Sequence, residues 1–173
     1  MKPQESKILP IRVYGDPVLR KKTELIENID GSVDELARSM IESLDRARGL
    51  GLAAPQVGQS RAMCIINLPL MDQRIKKPLV LINPVIHFRE GEVCYEEGCL
   101  SFPGIYVEVK RPQKIALTGI DLDGNEMEYE AGDMLARVFL HETDHLNGVL
   151  FIDHLSTVKR QLLKGRLKKL NQE

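Results

Sequence analysis

Apolar and polar positions follow two periods along this chain, and the change from one to the other divides it into elements. Leu36, Met40 and Leu44 recur four apart, the stripe of an amphipathic helix. Ser32 and Glu35 have capping-box spacing, and Arg48-Gly49 offers a basic last turn followed by a C-cap glycine. A first helix is therefore predicted from near Ser32 to Arg48. Before it, residues 8–13 read as extended and Tyr14-Gly15-Asp16-Pro17 as a turn. After it, Gly49-Leu50-Gly51-Leu52-Ala53-Ala54-Pro55-Gln56 is rich in small residues and suits neither a periodic helix nor a good strand. The pattern then becomes that of strands, at 62–67, 79–83, 105–109 and 114–120. Asp123-Gly124 predicts a hairpin between 114–122 and 126–129. The surrounding acids do not form a calcium loop, because the glycine stands at position 4, not 6, and Gly132 at position 12 cannot chelate. A second helix is predicted over 132–146, where Met134, Val138, His141 and His145 share one face. A third is predicted over 156–170. This order predicts an α+β fold, with antiparallel or mixed sheets packed around a central helix and a C-terminal helix added. Residues 1–155 form one domain, and 156–173 a basic helical extension of it.

Composition narrows the functional classes. The chain has 173 residues, 43% apolar and 28% charged, with a formal net charge of -1. That is ordinary for a soluble globular protein and gives no global field for nucleic acid or membranes. Tryptophan is absent and aromatics make up 5%, too few for a base-stacking platform. There are three cysteines, Cys64, Cys94 and Cys99, an odd number that does not read as a disulfide framework. Residues 1–10 show no signal-peptide or transit pattern, and no apolar run is long enough to span a membrane. These features predict a reducing, cytoplasmic setting with free thiols.

The chemistry concentrates in His141-Glu142-Thr143-Asp144-His145. On a helix, i and i+4 lie one above the other, so two imidazoles can bind one metal ion while Glu142 beside them acts on a water as general base. Catalysis needs a third ligand and an open position. The extended protease pattern would put a histidine at 151, where Phe151 stands. Asp153 and His154 follow Gly148, which ends the helix, and are weaker alternatives. Upstream, Glu96-Glu97-Gly98-Cys99-Leu100-Ser101 offers Cys99, a thiolate on a tight, glycine-containing segment. Cys64 and Cys94 read as small buried hydrophobic residues. Asp144 faces away from the two histidines and reads as a structural ion-pair partner.

Three motifs in order, Gly49 to Gln56, Glu97-Gly98-Cys99-Leu100-Ser101 and the His141–His145 pentapeptide, together with Tyr14-Gly15-Asp16-Pro17-Val18-Leu19-Arg20, carry a resemblance. From about Ile8 to Leu155 the chain resembles peptide deformylase, the metal-dependent hydrolase that removes the formyl group from N-formylmethionyl nascent chains as formate. The resemblance implies Cys99, His141 and His145 as metal ligands and Glu142 as general acid and base. It implies an oxyanion hole from the Gln56 side chain and the Leu100 backbone N–H, with Gly51 bonding the peptide backbone. It implies that Leu50, Tyr95, Glu97, Met134, Val138 and the His141 ring surround the methionine side chain. It points to Fe2+, with Zn2+ or Ni2+ able to substitute. One departure is visible: the residue before His141, often Gln in the family, is Leu140. The tail from Lys159 to Lys169 is basic: it reads as a solvated helix face whose cations suit the C-terminal end, while the resemblance implies contact with ribosomal RNA. Two other readings compete: a zinc endopeptidase using the same helix, and a non-catalytic, metal-stabilised ribosome-binding module.

Overall fold

The computed structural model describes residues 7–171. Met1 to Ser6, part of the stretch read for a targeting signal, and Gln172 and Glu173 at the end of the tail lie outside the described residues. Two antiparallel sheets and a central helix make up the body. The strands of the larger sheet are β1 (Gly51–Ala53), β2 (Met63–Ile66), β3 (Leu79–Glu90), β6 (Lys114–Ile120) and β7 (Glu126–Gly132), in that spatial order. β4 (Val93–Gly98) and β5 (Tyr106–Arg111) form a separate pair. All named strand pairs are antiparallel, so of the two sheet types expected, antiparallel is the one present.

The first helix, α1 (Gly31–Ala47), is capped by Asp30 and not by Ser32. The Asp30 carboxylate accepts from Ser32 N (2.9 Å) and Val33 N (3.3 Å), and the Ser32 hydroxyl donates to the same oxygen at 2.6 Å. An ionised acceptor takes the capping position, and the hydroxyl is reduced to a donor. At the other end the left-handed residue is Arg48 (φ 54), not Gly49. Gly49 is needed for space, since a Cβ there would lie 2.8 Å from Leu44 and 3.0 Å from Leu100. The buried stripe of α1 is Val33, Ala37, Met40 and Leu44, with Leu36 at its edge. It packs on one face of the β1–β2–β3 region. A short helix, α2 (Leu68–Met71), follows β2.

One strand, β3, is longer than its apolar run. β3 continues to Glu90 through Asn83-Pro84, where its pairing with β6 shifts register between Ile82 and Val85. The bulge absorbs both Asn83 in the left-handed region (φ 50) and a proline with no N–H to give. The Asn83 side chain bonds both Ile26 N and Ile26 O. The predicted hairpin is present: Asp121 accepts from Asp123 N, Asn125 N and the Asn125 amide.

The central helix, α3 (Asp133–Leu146), lies against β1, β2, β6 and β7. Ala136, Val138, Phe139 and Leu140 bury into one cluster with Leu81, Leu117 and Ile66. Leu140, the departure from the family pattern, is therefore a core residue. The C-terminal helix, α4 (Thr157–Leu170), is capped by Ser156. It docks on the body through Leu163 and Leu167, which share a cluster with Phe102, Ile105, Val109 and Phe151. Phe151 fills the core where an extended protease pattern would need a ligand.

Candidate metal centre and substrate cavity

Helical periodicity puts the two histidines on the inward face of α3, and a sharp turn after β4 brings Cys99 to them. The ligand-capable atoms of Cys99, His141 and His145 all lie within 4.8 Å of one another. Cys99 Sγ is 3.3 Å from His145 Nε2. A tetrahedral ion with ordinary metal–sulfur and metal–nitrogen bonds would set that edge at about 3.6 Å, so the residues fit a divalent ion.

Charge makes the same case. Burial alone would discharge His141, but the Cys99 sulfur and the Glu97 and Glu142 carboxylates hold it well toward its protonated side. His145, buried and facing His141, is pushed well down and is neutral. The position beside His141 therefore favours positive charge, which a divalent cation would supply.

Glu97 is not simply a wall of an apolar pocket. It is 5% exposed and its carboxylate is fully engaged. Oε1 accepts from Arg111 Nε at 2.6 Å and from Arg137 Nη1; Oε2 accepts from Arg111 Nη2 and faces His141 Nδ1, both at 3.0 Å. Burial raises its pKa, but the His141 and Arg111 bonds prevail and hold it at about 2. Glu97 thus occupies His141 Nδ1 and leaves Nε2 as the atom able to take a metal ion. Arg111 and Arg137 were not singled out from the sequence. Arg137 stands four residues before His141, on the stripe already drawn, and could have been found. Arg111 could not, because only the pairing of β4 with β5 brings it to Glu97. Asp144 accepts from Arg111 Nη1 at 2.6 Å and faces His154 Nε2 at 2.7 Å, the structural role expected of it. Asp153 instead pairs with Arg20; neither Asp153 nor His154 joins the ligand group. Cys64 is buried, as expected, but Cys94 is exposed, because β4 presents it on the open side of a two-stranded sheet.

Glu142 is 4% exposed, and its Oε2 has no hydrogen-bond partner among the described residues. Burial pushes its pKa up to about 7, against the lowering charges of His141 and Arg111. A carboxyl poised near neutrality can both take and return a proton. Gly51 lies directly against it: a Cβ at Gly51 would sit 2.7 Å from Glu142 Cγ and Cδ. Gln56 follows β1 in a short 3-10 turn (Ala54–Val57). Its Oε1 accepts from Ala53 N at 2.8 Å, which turns Nε2 toward Ser101 Oγ (3.3 Å) and Cys99 Sγ (3.5 Å). One end of the amide holds its own loop and the other faces the site.

A cavity of about 520 Å³ opens beside these groups. Leu50, Glu97, Met134, Val138, Gln56, Leu100, Gly51, Cys99 and His141 line it, and so does Arg137. Tyr95 stands outside the lining, with its ring centre 5.1 Å from the Arg137 guanidinium. Pro103, Gly104 and Tyr106, which the sequence reading left out, form a further part of the wall.

A family model described as polypeptide deformylase matches residues 8–161. Among curated relatives, the peptide deformylase of Thermodesulfovibrio yellowstonii is 44% identical over 161 residues, covering 93% of this chain and 97% of that one. The peptide deformylase of Cytophaga hutchinsonii is 45% identical over 163 residues, covering 92% and 89%. Among solved structures, peptide deformylase from Thermus thermophilus matches with a TM-score of 0.87 at 40% identity, covering 95% of this chain and 98% of that one. That from Synechococcus elongatus, in complex with actinonin, matches with a TM-score of 0.86 at 39% identity, covering 96% and 90%.

Proposed function

The chain belongs to the polypeptide deformylase family, and we propose that Cys99, His141 and His145 hold its metal ion and Glu142 moves its protons. The enzyme removes the N-formyl group of formylmethionyl peptides. The observation that carries the assignment of roles is the convergence of three ligand-capable atoms beside a buried carboxyl group whose Oε2 has no partner among the described residues. An endopeptidase reading gains nothing from the relatives or the solved structures.

A divalent ion held there supplies Lewis acidity, bringing a water's pKa from near 16 toward about 7 and polarising the formyl carbonyl. Glu142 takes the attacking water's proton on its carboxylate and delivers it to the leaving amine nitrogen, so the C–N bond breaks with formate and a free amine as products. Gln56 Nε2 and the Leu100 N–H meet the negative charge that develops on the carbonyl oxygen, each worth roughly 3–4 kcal/mol at the transition state. Glu97 keeps the His141 ring from turning. β1 and β4 are both edge strands of their sheets, and residues of both line the cavity. An extended peptide can therefore bond to Gly51 while Leu50, Met134 and Val138 take its methionine side chain, with Tyr95 supporting that wall through Arg137.

Fe2+ is proposed as the native ion, supported by family membership and a donor set that also suits Zn2+ and Ni2+. A ferrous ion beside a thiolate is oxygen-sensitive, so activity should survive better under anaerobic handling or Ni2+ substitution. Residues 1–155 are proposed as one catalytic domain with 156–173 as its docked extension. A cytoplasmic location is proposed from the substrate class and the free thiols; no helix among the described residues is long and apolar enough to cross a membrane. Contact of the basic α4 with the ribosome is proposed from its exposed cations, and truncation at about Ser156 should abolish ribosome binding.

The test is formate release from formyl-Met-Ala-Ser by anaerobic, Fe2+-loaded protein, beside an acetyl-Met control. Glu142→Ala should keep its metal and lose turnover by about 10²–10⁴-fold. Cys99→Ala should lose its metal. Full metal occupancy in the second variant, or an apo protein in the first, would overturn these roles.

A further inference from the structure

The docked helix α4 reaches the substrate cavity through one side chain. Arg166 Nη2 donates a hydrogen bond to the Gly104 carbonyl, and Gly104 lines the cavity. The segment between Cys99 and β5 is a two-faced turn. Phe102 and Ile105 are buried, in one cluster with Leu163 and Leu167 of α4, while Pro103 and Gly104 are exposed on the cavity side. Its backbone closes through Phe102 N to Cys99 O (2.9 Å) and Ile105 N to Phe102 O (3.1 Å). Gly104 sits in the left-handed region at φ +72, so this turn depends on a conformation that other residues resist. A second tie between the same elements joins Lys159 of α4 to Glu108 of β5 at 4.0 Å.

The site's chemistry fixes what this wall can touch. The reacting formyl group must lie by Cys99, Glu142 and Gln56, and the methionine side chain by Met134 and Val138. The part of the lining left over is Gly98, Pro103, Gly104 and Tyr106, with Gly49 and Glu96. The peptide beyond its first residue has this remaining wall to run along, and Pro103, Gly104 and Tyr106 make up half of it.

We infer that Arg166 is a positioning residue for the substrate: it braces the Phe102–Ile105 turn so that residues after the methionine find a formed wall. The inference rests on the deformylase reading. Arg166 is exposed and distant from the reacting atoms, so its loss should leave the chemical step intact.

Steady-state kinetics of metal-loaded enzyme with formyl-Met-amide and formyl-Met-Ala-Ser test it. Arg166→Ala should raise KM for the tripeptide roughly fivefold, the scale of one ordinary hydrogen bond, as befits an exposed donor. kcat for both substrates and KM for formyl-Met-amide should not change. Arg166→Lys, which keeps a donor of similar reach, should restore most of the tripeptide KM. The affinity of each variant for Met-Ala-Ser, the reaction product, reads the same effect without turnover and should fall in parallel. Unchanged tripeptide KM in Arg166→Ala, or an equal loss on both substrates, would overturn the inference. Wild-type enzyme releasing no formate from either substrate would instead defeat the deformylase reading, and the product affinities would still decide the role of Arg166.

Discussion

Gly51→Ala isolates the packing that aims the proposed base. Gly51 lies in β1, paired with Ile66, and outside the left-handed region, so the backbone itself accepts alanine. What it does not accept is the methyl group. The added Cβ would stand 2.7 Å from Glu142 Cγ and Cδ, where ordinary contact starts at 3.4 Å. Neither support can yield easily. β1 is held by β2, and the α3 backbone around Glu142 is held by Phe139 and Leu140, 0% and 5% exposed. The carboxylate is the free end, so it must move, by about 0.7 Å at Cγ and on the order of 1 Å at its tip. A displacement of that size costs roughly 10²-fold in rate, or about 2.7 kcal/mol of transition-state stabilisation.

The ligands do not touch the added methyl, so metal content should match wild type. Overpacking should cost about 1–3 kcal/mol of stability, a fall in Tm of roughly 3–10 °C for a chain of this size. The assay is kcat on formyl-Met-Ala-Ser with metal analysis and a thermal melt of the same preparation. Turnover within about threefold of wild type would refute the packing argument. So would loss of metal together with activity, which would place the damage at the ligands.

Arg111→Met removes the fork from a buried carboxylate and should destabilise the fold by about 3–5 kcal/mol; urea unfolding checks this, and the double variant with Glu97→Gln should recover part of the loss. Asp153 gives a pH signature. Burial raises its pKa, but bonds from Arg20 and Leu150 N prevail and hold it below its ordinary value of 3.8. A depressed folded pKa means that its stabilisation is present above the unfolded pKa and is lost as pH falls through the folded one. Asp153→Asn should therefore lower Tm at pH 7, with the gap to wild type closing as pH falls below the ordinary value of 3.8; a gap that does not change with pH would contradict the assignment.

How legible each part of the site was depended on how local its chemistry is. His141 and His145 are fixed by helical period alone, and Glu142 by adjacency. Cys99 needed a fold that returns 42 residues of chain to α3, and its place was reachable through motif order, not spacing. Glu97 was read as a pocket wall because nothing in β4 announces that Arg111 and Arg137 will close on it from another strand and a helix turn. β1 is three residues long and has no period to read; pairing with β2 makes it a strand. Asp30 was passed over for Ser32 because capping strength was judged by spacing, where an ionised acceptor just upstream was the stronger candidate. The expected buried Cys94 failed for the complementary reason. Its strand belongs to a two-stranded sheet with an open face, and burial follows from what covers a strand, not from its residue type.

The same α3 turns that present the ligands also fill the core, and this explains the polar cluster behind them. A helix whose inward face carries His141, Glu142 and His145 buries donors and acceptors that mostly need partners, although Glu142 Oε2 and His145 Nδ1 have none among the described residues. Glu97 answers His141 but brings a charge into the interior, which costs more than one hydrogen bond repays. Two arginines then become necessary, and each is tied further: Arg111 to Asp144, and Arg137 to the carbonyls of Val93 and Val109. The bonds of Arg137 end on the backbone of β4 and β5, the strands that carry Cys99 and the outer cavity wall. Fixing one imidazole therefore fixes the two-stranded sheet on α3. A substitution anywhere in the cluster should disturb metal affinity and cavity shape together, whereas the Gly51 methyl should disturb only the carboxylate it touches.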